Sequence, residues 1–151
     1  MIVQSDLERL KAWLATYDGA DLLSKLRVDY TGNLPGEFGV FPGGLLETGR
    51  MEYIDGDVTV YNQYNFALYI VFAKEPGDEA GALVNADWVM DFQRWVQRQS
   101  ATGKAPKFGN VDRDEEVIRA QNGALYDADA EGLAMYMVQL TASFHTNYSE
   151  E

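Results

Sequence analysis

His145 is the single histidine of a 151-residue chain that contains no cysteine, so a histidine-based relay would have to be built around it. It falls on the polar side of an alternating stretch, with Thr141, Ser143 and Asn147. A Ser-His-Asp relay draws its members from distant parts of a chain and stays open in principle. Nothing in the sequence marks one: there is no G-x-S-x-G turn to present a serine, and no thiol. The expectation is a surface or cross-strand structural role for His145, with no catalytic residues and no enzymatic activity; a hydrolase or transferase around His145 is a distant third reading.

Carboxylates come next. "DADAEG", from Asp127 to Gly132, opens like an EF-hand loop, with oxygens at positions one, three and five and glycine at six. Position twelve, where a bidentate glutamate closes the coordination sphere, is Val138, and the flanking patterns are those of strands. A solvated hairpin turn is expected there; the alternative is a weak divalent-cation site at Asp127, Asp129 and Glu131 that assists assembly. "DRDEE" at 112–116 reads as a soluble connection. "PGGLLETGR" lacks the phosphate-cradling G-x-x-x-x-G-K-[ST], and no G-x-G-x-x-G follows a strand and opens a helix. No cofactor and no resident metal are expected.

The elements that would position these groups follow from periodicity. Ser5 and Glu8 match a capping box, and Leu7, Leu10, Trp13, Leu14 and Tyr17 form a helical stripe ending near Gly19. Leu26, Val28 and Tyr30 alternate with Lys25, Arg27 and Asp29 as in a strand. A second short strand, with Phe38 and Val40 on one side, is closed by Pro42 and two glycines, and a third runs roughly over residues 48–54. Asp55-Gly56 signals a tight turn into a long strand over residues 57–75. Its even side carries Val58, Val60, Asn62, Tyr64, Phe66, Leu68, Ile70 and Phe72, whereas its odd side carries Asp57, Thr59, Tyr61, Gln63, Asn65, Ala67, Tyr69 and Val71. Leu83, Val84, Trp88, Val89, Phe92, Trp95 and Val96 recur at spacings of three and four, placing a major helix over residues 79–100 with Asp87, Asp91, Arg94 and Arg98 outward. "ATGKAPKFGN" breaks it, and strands over 115–126 and 133–148 follow. Asn122-Gly123 is either a tight turn or a bulge. The sum is one α+β domain over residues 1–151, in the order α-β-β-β-β-α-β-β. Its sheet is mainly antiparallel, with two helices packed on one face.

Twelve basic against twenty-four acidic residues give a formal charge of −12, which argues against adhesion to nucleic acid. The charge is segregated: Arg94, Arg98, Lys104 and Lys107 lie in a stretch free of acids. That pattern suits solvated ends of elements or complementarity between subunits. The start "MIVQSDLERL" has neither a basic nor an apolar leader segment, and no run of 18 apolar residues occurs, so a cytoplasmic protein with no membrane partner is expected. Amphipathic tyrosines on a polar sheet surface suit a protein contact. The candidate contact residues are therefore Tyr61, Gln63 and Tyr69, together with Arg94, Arg98, Lys104 and Lys107.

Val28 to Gly32 (V-D-Y-x-G), "PGEFGVFP" from Pro35 to Pro42, Tyr53 to Gly56 (Y-x-D-G), "VFAKE" from Val71 to Glu75, the tryptophan-bearing helix and "NGALYDADAEGLAMYMVQL" from Asn122 to Leu140 follow one another in a characteristic order. In that order and spacing, from about residue 5 to residue 148, the chain resembles the small minor capsid or tail-terminator proteins of long-tailed bacteriophages and prophages. The resemblance implies a lambda-type tail-terminator-like subunit at the head–tail junction of a virion, assembled in the host cytoplasm. Such subunits form a homo-hexameric ring that caps the tail tube and docks the head connector, and DNA is met only as the passing genome. Acetyltransferase chemistry, a label sometimes attached to such proteins, needs H-x-x-x-D-G, and here Met51 stands where the histidine belongs. The rival expectation is a monomeric acidic protein-binding or immunity-type module.

Overall fold

The computed structural model describes residues 5–17, 26–28, 38–73, 79–111, 116–128 and 133–149. Helix α1 is Asp6–Leu14. The Ser5 hydroxyl caps it by accepting from the Glu8 N–H at 3.2 Å, and Asp6 and Glu8 set negative charge against the positive end of the helix dipole. The strands are β1 (Leu26–Val28), β2 (Phe38–Glu52), β3 (Val58–Ala73), β4 (Val117–Ala128) and β5 (Leu133–Tyr148), with α2 (Glu79–Ala101) between β3 and β4. They form one sheet in the order β1-β2-β3-β5-β4, in which β1 runs parallel to β2 and every other pair is antiparallel. This is the α+β arrangement that periodicity predicts.

The spine is the β3–β5 pair, in register without a shift from Val58↔Tyr148 to Ala73↔Leu133. Because both strands alternate in the same phase, their apolar sides coincide: Phe66, Leu68, Ile70 and Phe72 share a face with Tyr136, Val138, Leu140 and Phe144, all buried. Both helices cover this face. Leu10, Trp13 and Leu14 of α1 and Val89, Phe92 and Val96 of α2 join the same core. The helices are locked to one another through Trp13, stacked on Trp95 at 4.7 Å, and through Tyr17, edge-on to Trp88 and Phe92.

Three local readings change. The segments separated at Pro42 as second and third strands are continuous in β2, and the expected break survives as register shifts between Pro42 and Leu45 and between Glu47 and Gly49. The arms of the β2–β3 hairpin are therefore nearly equal. Its turn has three residues, not two: the Gly56 N–H donates to the Tyr53 carbonyl, the Tyr53 N–H donates to the Asp57 carbonyl, and Gly56 takes φ 95°. This is a type I turn closed by a glycine bulge, which throws Ile54 to the tip. On α2, Leu83 and Val84 are exposed instead of buried. Counting back from Val89 at roughly 3.6 residues per turn, the next inward position is Asn85, which is buried, and Leu83 falls on the far side.

A register shift between Gln121 and Ala124 within continuous β4 resolves Asn122-Gly123 as a bulge. The predicted strand residues beyond Leu26–Val28, and most of "DADAEG", lie outside the described residues.

Candidate functional site

The sheet has a second face, and neither helix covers it. On β3 it presents Tyr61, Gln63, Asn65, Ala67 and Tyr69, half-buried, between Thr59 and Val71, which are buried; on β5 it presents Met135, Met137, Gln139, Thr141, Ser143, His145 and Asn147, all half-buried; at the β4 edge the register adds Val117 and the exposed Arg119. Not one of the β3 and β5 side chains on this face carries a fixed charge, in a chain of which 24% of residues are charged; Arg119, on the β4 edge, is the charge at its margin.

The face is internally ordered. Tyr61 and His145 are direct cross-strand partners, ring edge to ring face at 4.4 Å, which is the cross-strand role expected of the histidine. Tyr69 meets Phe41 of β2 edge-on at 5.2 Å. Gln63 Nε2 donates to Asn65 Oδ1 at 2.9 Å, the Thr141 hydroxyl donates to the same oxygen at 3.5 Å, and Asn147 Nδ2 donates to the Thr59 hydroxyl at 2.9 Å. A shallow hollow of about 200 Å³ opens among Phe41, Asn65, Ala67, Met137 and Gln139. Tyr61 and Tyr69 are thus seated by neighbours within the sheet, half-buried on the face away from the helices.

The cationic candidates do not share this face. Arg94 lines a groove between α2 and β4 together with Arg119. Arg98 is exposed in the last turn of α2. Lys104 and Lys107 border a hollow of about 610 Å³ beside α1, with Arg9, Trp13 and Asn110. Tyr61, Gln63 and Tyr69 form one surface, whereas the basic residues occupy two others.

The loop bearing Lys104 and Lys107 is fixed by side chains that sequence reasoning passed over. Glu116, the last residue of "DRDEE", is 3% exposed and accepts from the Phe108 N–H at 3.2 Å and the Gly109 N–H at 2.8 Å. Asn110 pairs with the backbone of Asn147 as another strand would: its amide donates to the Asn147 carbonyl at 2.8 Å, and its oxygen accepts from the Asn147 N–H at 2.6 Å. The loop thereby closes the end of β5 that β4 does not reach.

A further surface, the hairpin arm, also escapes sequence reasoning. The β2–β3 hairpin ends in an arm whose Leu45, Leu46, Met51, Tyr53 and Ile54 are all exposed, Ile54 completely. The signal was present in "GLLETGRMEYI", where apolar residues fall at both odd and even positions, so no single face can bury them.

Of the cation candidates, Asp127 lies on β4 opposite Met135, while Asp129 and Glu131 lie outside the described residues. No group of three metal-ligating side chains occurs among the described residues, and no helix there is long and apolar enough to cross a membrane. No family model and no curated protein sequence matches the chain.

Proposed function

We propose that the protein is a non-enzymatic structural component of a phage virion, a tail-terminator-like subunit. It works at the head–tail junction by assembling with copies of itself into a ring between tail tube and head connector. The observation that carries this reading is the β3–β5 part of the sheet face opposite the helices, which bears tyrosines and methionines and no charge. Interface cores are depleted of charge and enriched in aromatic residues and methionine, whereas a face destined for water in so charged a chain would carry lysines and glutamates. The order and spacing of the segments from residue 5 to residue 148 direct the reading to a tail terminator. The monomeric acidic module fits this face less well, because such a binder would present its carboxylates at the contact.

Light scattering across a concentration range, followed by negative-stain microscopy, tests the reading. Annular particles, free or seated on the ends of tail tubes, are expected. A strict monomer that stays monomeric with purified tail tubes and divalent cation overturns it.

A further inference from the structure

We infer that the β2–β3 arm of one copy docks in the groove between α2 and β4 of the next copy. The inference rests on the self-association proposed above and names the contact that makes it directional.

The two surfaces match in shape class and in charge. The groove, of about 690 Å³, runs along the β4 edge and is lined by Met90, Arg94, Val117, Arg119 and Ala120 among others, with no acid among its lining residues; Arg119 and Val117 reach it from the far side of the strand, in register with Thr141 and Ser143. Arg94 and Arg119 are both exposed, and neither takes part in an ion pair among the described residues. The arm carries Glu47, Glu52, Asp55 and Asp57 against Arg50 alone, and Arg50 is already engaged by Glu47 at 2.9 Å. An acidic arm with an apolar tip thus complements a groove edged by two arginines and apolar side chains, a pairing that sets orientation as well as attraction.

The groove also dictates how it is filled. The Ser100 hydroxyl accepts from the Ile118 N–H, and Gln93 Nε2 donates to the Ala120 carbonyl, each at 3.2 Å, so side chains of α2 already occupy backbone groups of β4. Adding a strand there would break both bonds. A turn that inserts side chains breaks neither, and the arm ends in such a turn, with Ile54 wholly exposed.

The arm cannot reach its own groove. β3 and β5 stand between β2 and β4, with neighbouring strands about 4.8 Å apart, and the turn projects past the Val58↔Tyr148 rung. The contact therefore joins unlike patches on two copies. Such an interface is heterologous and closes into a ring when its rotation permits.

Sedimentation velocity on the full chain tests this with Ile54→Asp, the double variant Arg94→Glu/Arg119→Glu, and their mixture. All three positions are exposed, so melting temperatures should match the wild type. Each variant alone should associate at least about 30-fold more weakly than wild type, the loss typical of a buried interface anchor. Mixed, the arm-defective and groove-defective chains retain one good arm and one good groove between them, and should form a dimer that goes no further. Wild-type-like assembly of either variant, or a mixture that stays monomeric, overturns the inference while the ring reading stands on another interface. Loss through Lys104→Glu/Lys107→Glu with Arg94→Glu/Arg119→Glu still assembling moves the contact beside α1 and overturns it equally. A wild type that is itself monomeric at every concentration, with and without tail tubes, removes both readings.

Discussion

Tyr64 and Tyr61 both belong to β3 but lie on opposite faces of the sheet and answer to different surroundings. The Tyr64 phenol donates to the Asp6 carboxylate, and burial first, then that bond, pushes its pKa up to about 12. The folded chain therefore keeps a proton that the unfolded chain releases near pH 10. This contribution to stability is complete below about pH 10 and disappears as pH rises through the folded value of about 12. Urea unfolding across that window should show falling stability. Tyr64→Phe should flatten the slope and remove about 1 kcal/mol at neutral pH; an unaltered slope would assign it to other groups, Tyr136 first, whose phenol burial also raises. Tyr61 lies against His145 and close over Gly49, so Tyr61→Ala should cost the isolated subunit about 1 kcal/mol, a shift of about 2–4 °C in melting temperature. A larger loss of association is expected from the same change if the sheet face is covered in the ring. At this scale the sequence disclosed sides but not seats: alternation put Tyr61 away from the apolar face, while its contact with His145 depends on a cross-strand register that no local pattern encodes.

Elements were legible where one period ran long. β5 spans Leu133–Tyr148 and α2 spans Glu79–Ala101, close to the limits that alternation and helical spacing give. β2 was read in two pieces because Pro42, Gly43 and Gly44 are poor strand residues, and the protein accommodates them with a register shift and no chain break. The loop after α2 is legible only as a breaker, since its order comes from the carboxylate of Glu116, shortly after it in the chain, and from the backbone of Asn147, remote in sequence. Two substitutions probe that order. Glu116→Ala strands one buried and one half-buried N–H donor and should cost about 2–3 kcal/mol, read as a drop in the urea midpoint. At Gly109 an added Cβ would come within 2.0 Å of the His145 carbonyl oxygen, so Gly109→Ala forces backbone to move and should cost about 1–3 kcal/mol. Wild-type stability in Gly109→Ala would mean that the loop does not rest on β5.

For the whole molecule, charge and topology bear on different partners. With a net charge of −12, the chain should give no mobility shift with duplex DNA at physiological salt, and under the ring proposal a wall of this sign lets a genome pass without adhering. Retention of DNA would mean that the basic stretches near Arg94 and Lys107 line the passage, against that proposal. Topology has a mechanical corollary. Each of the sixteen residues of β3 has a β5 partner, and the turn at Ile54 lies at the end of that ladder. Tension applied at the tip along the strand axis would strain all these rungs together in shear instead of peeling them singly. The projecting limb is thus braced like a tie-rod, and force on one protomer would reach the centre of its sheet before it loosened any outer element.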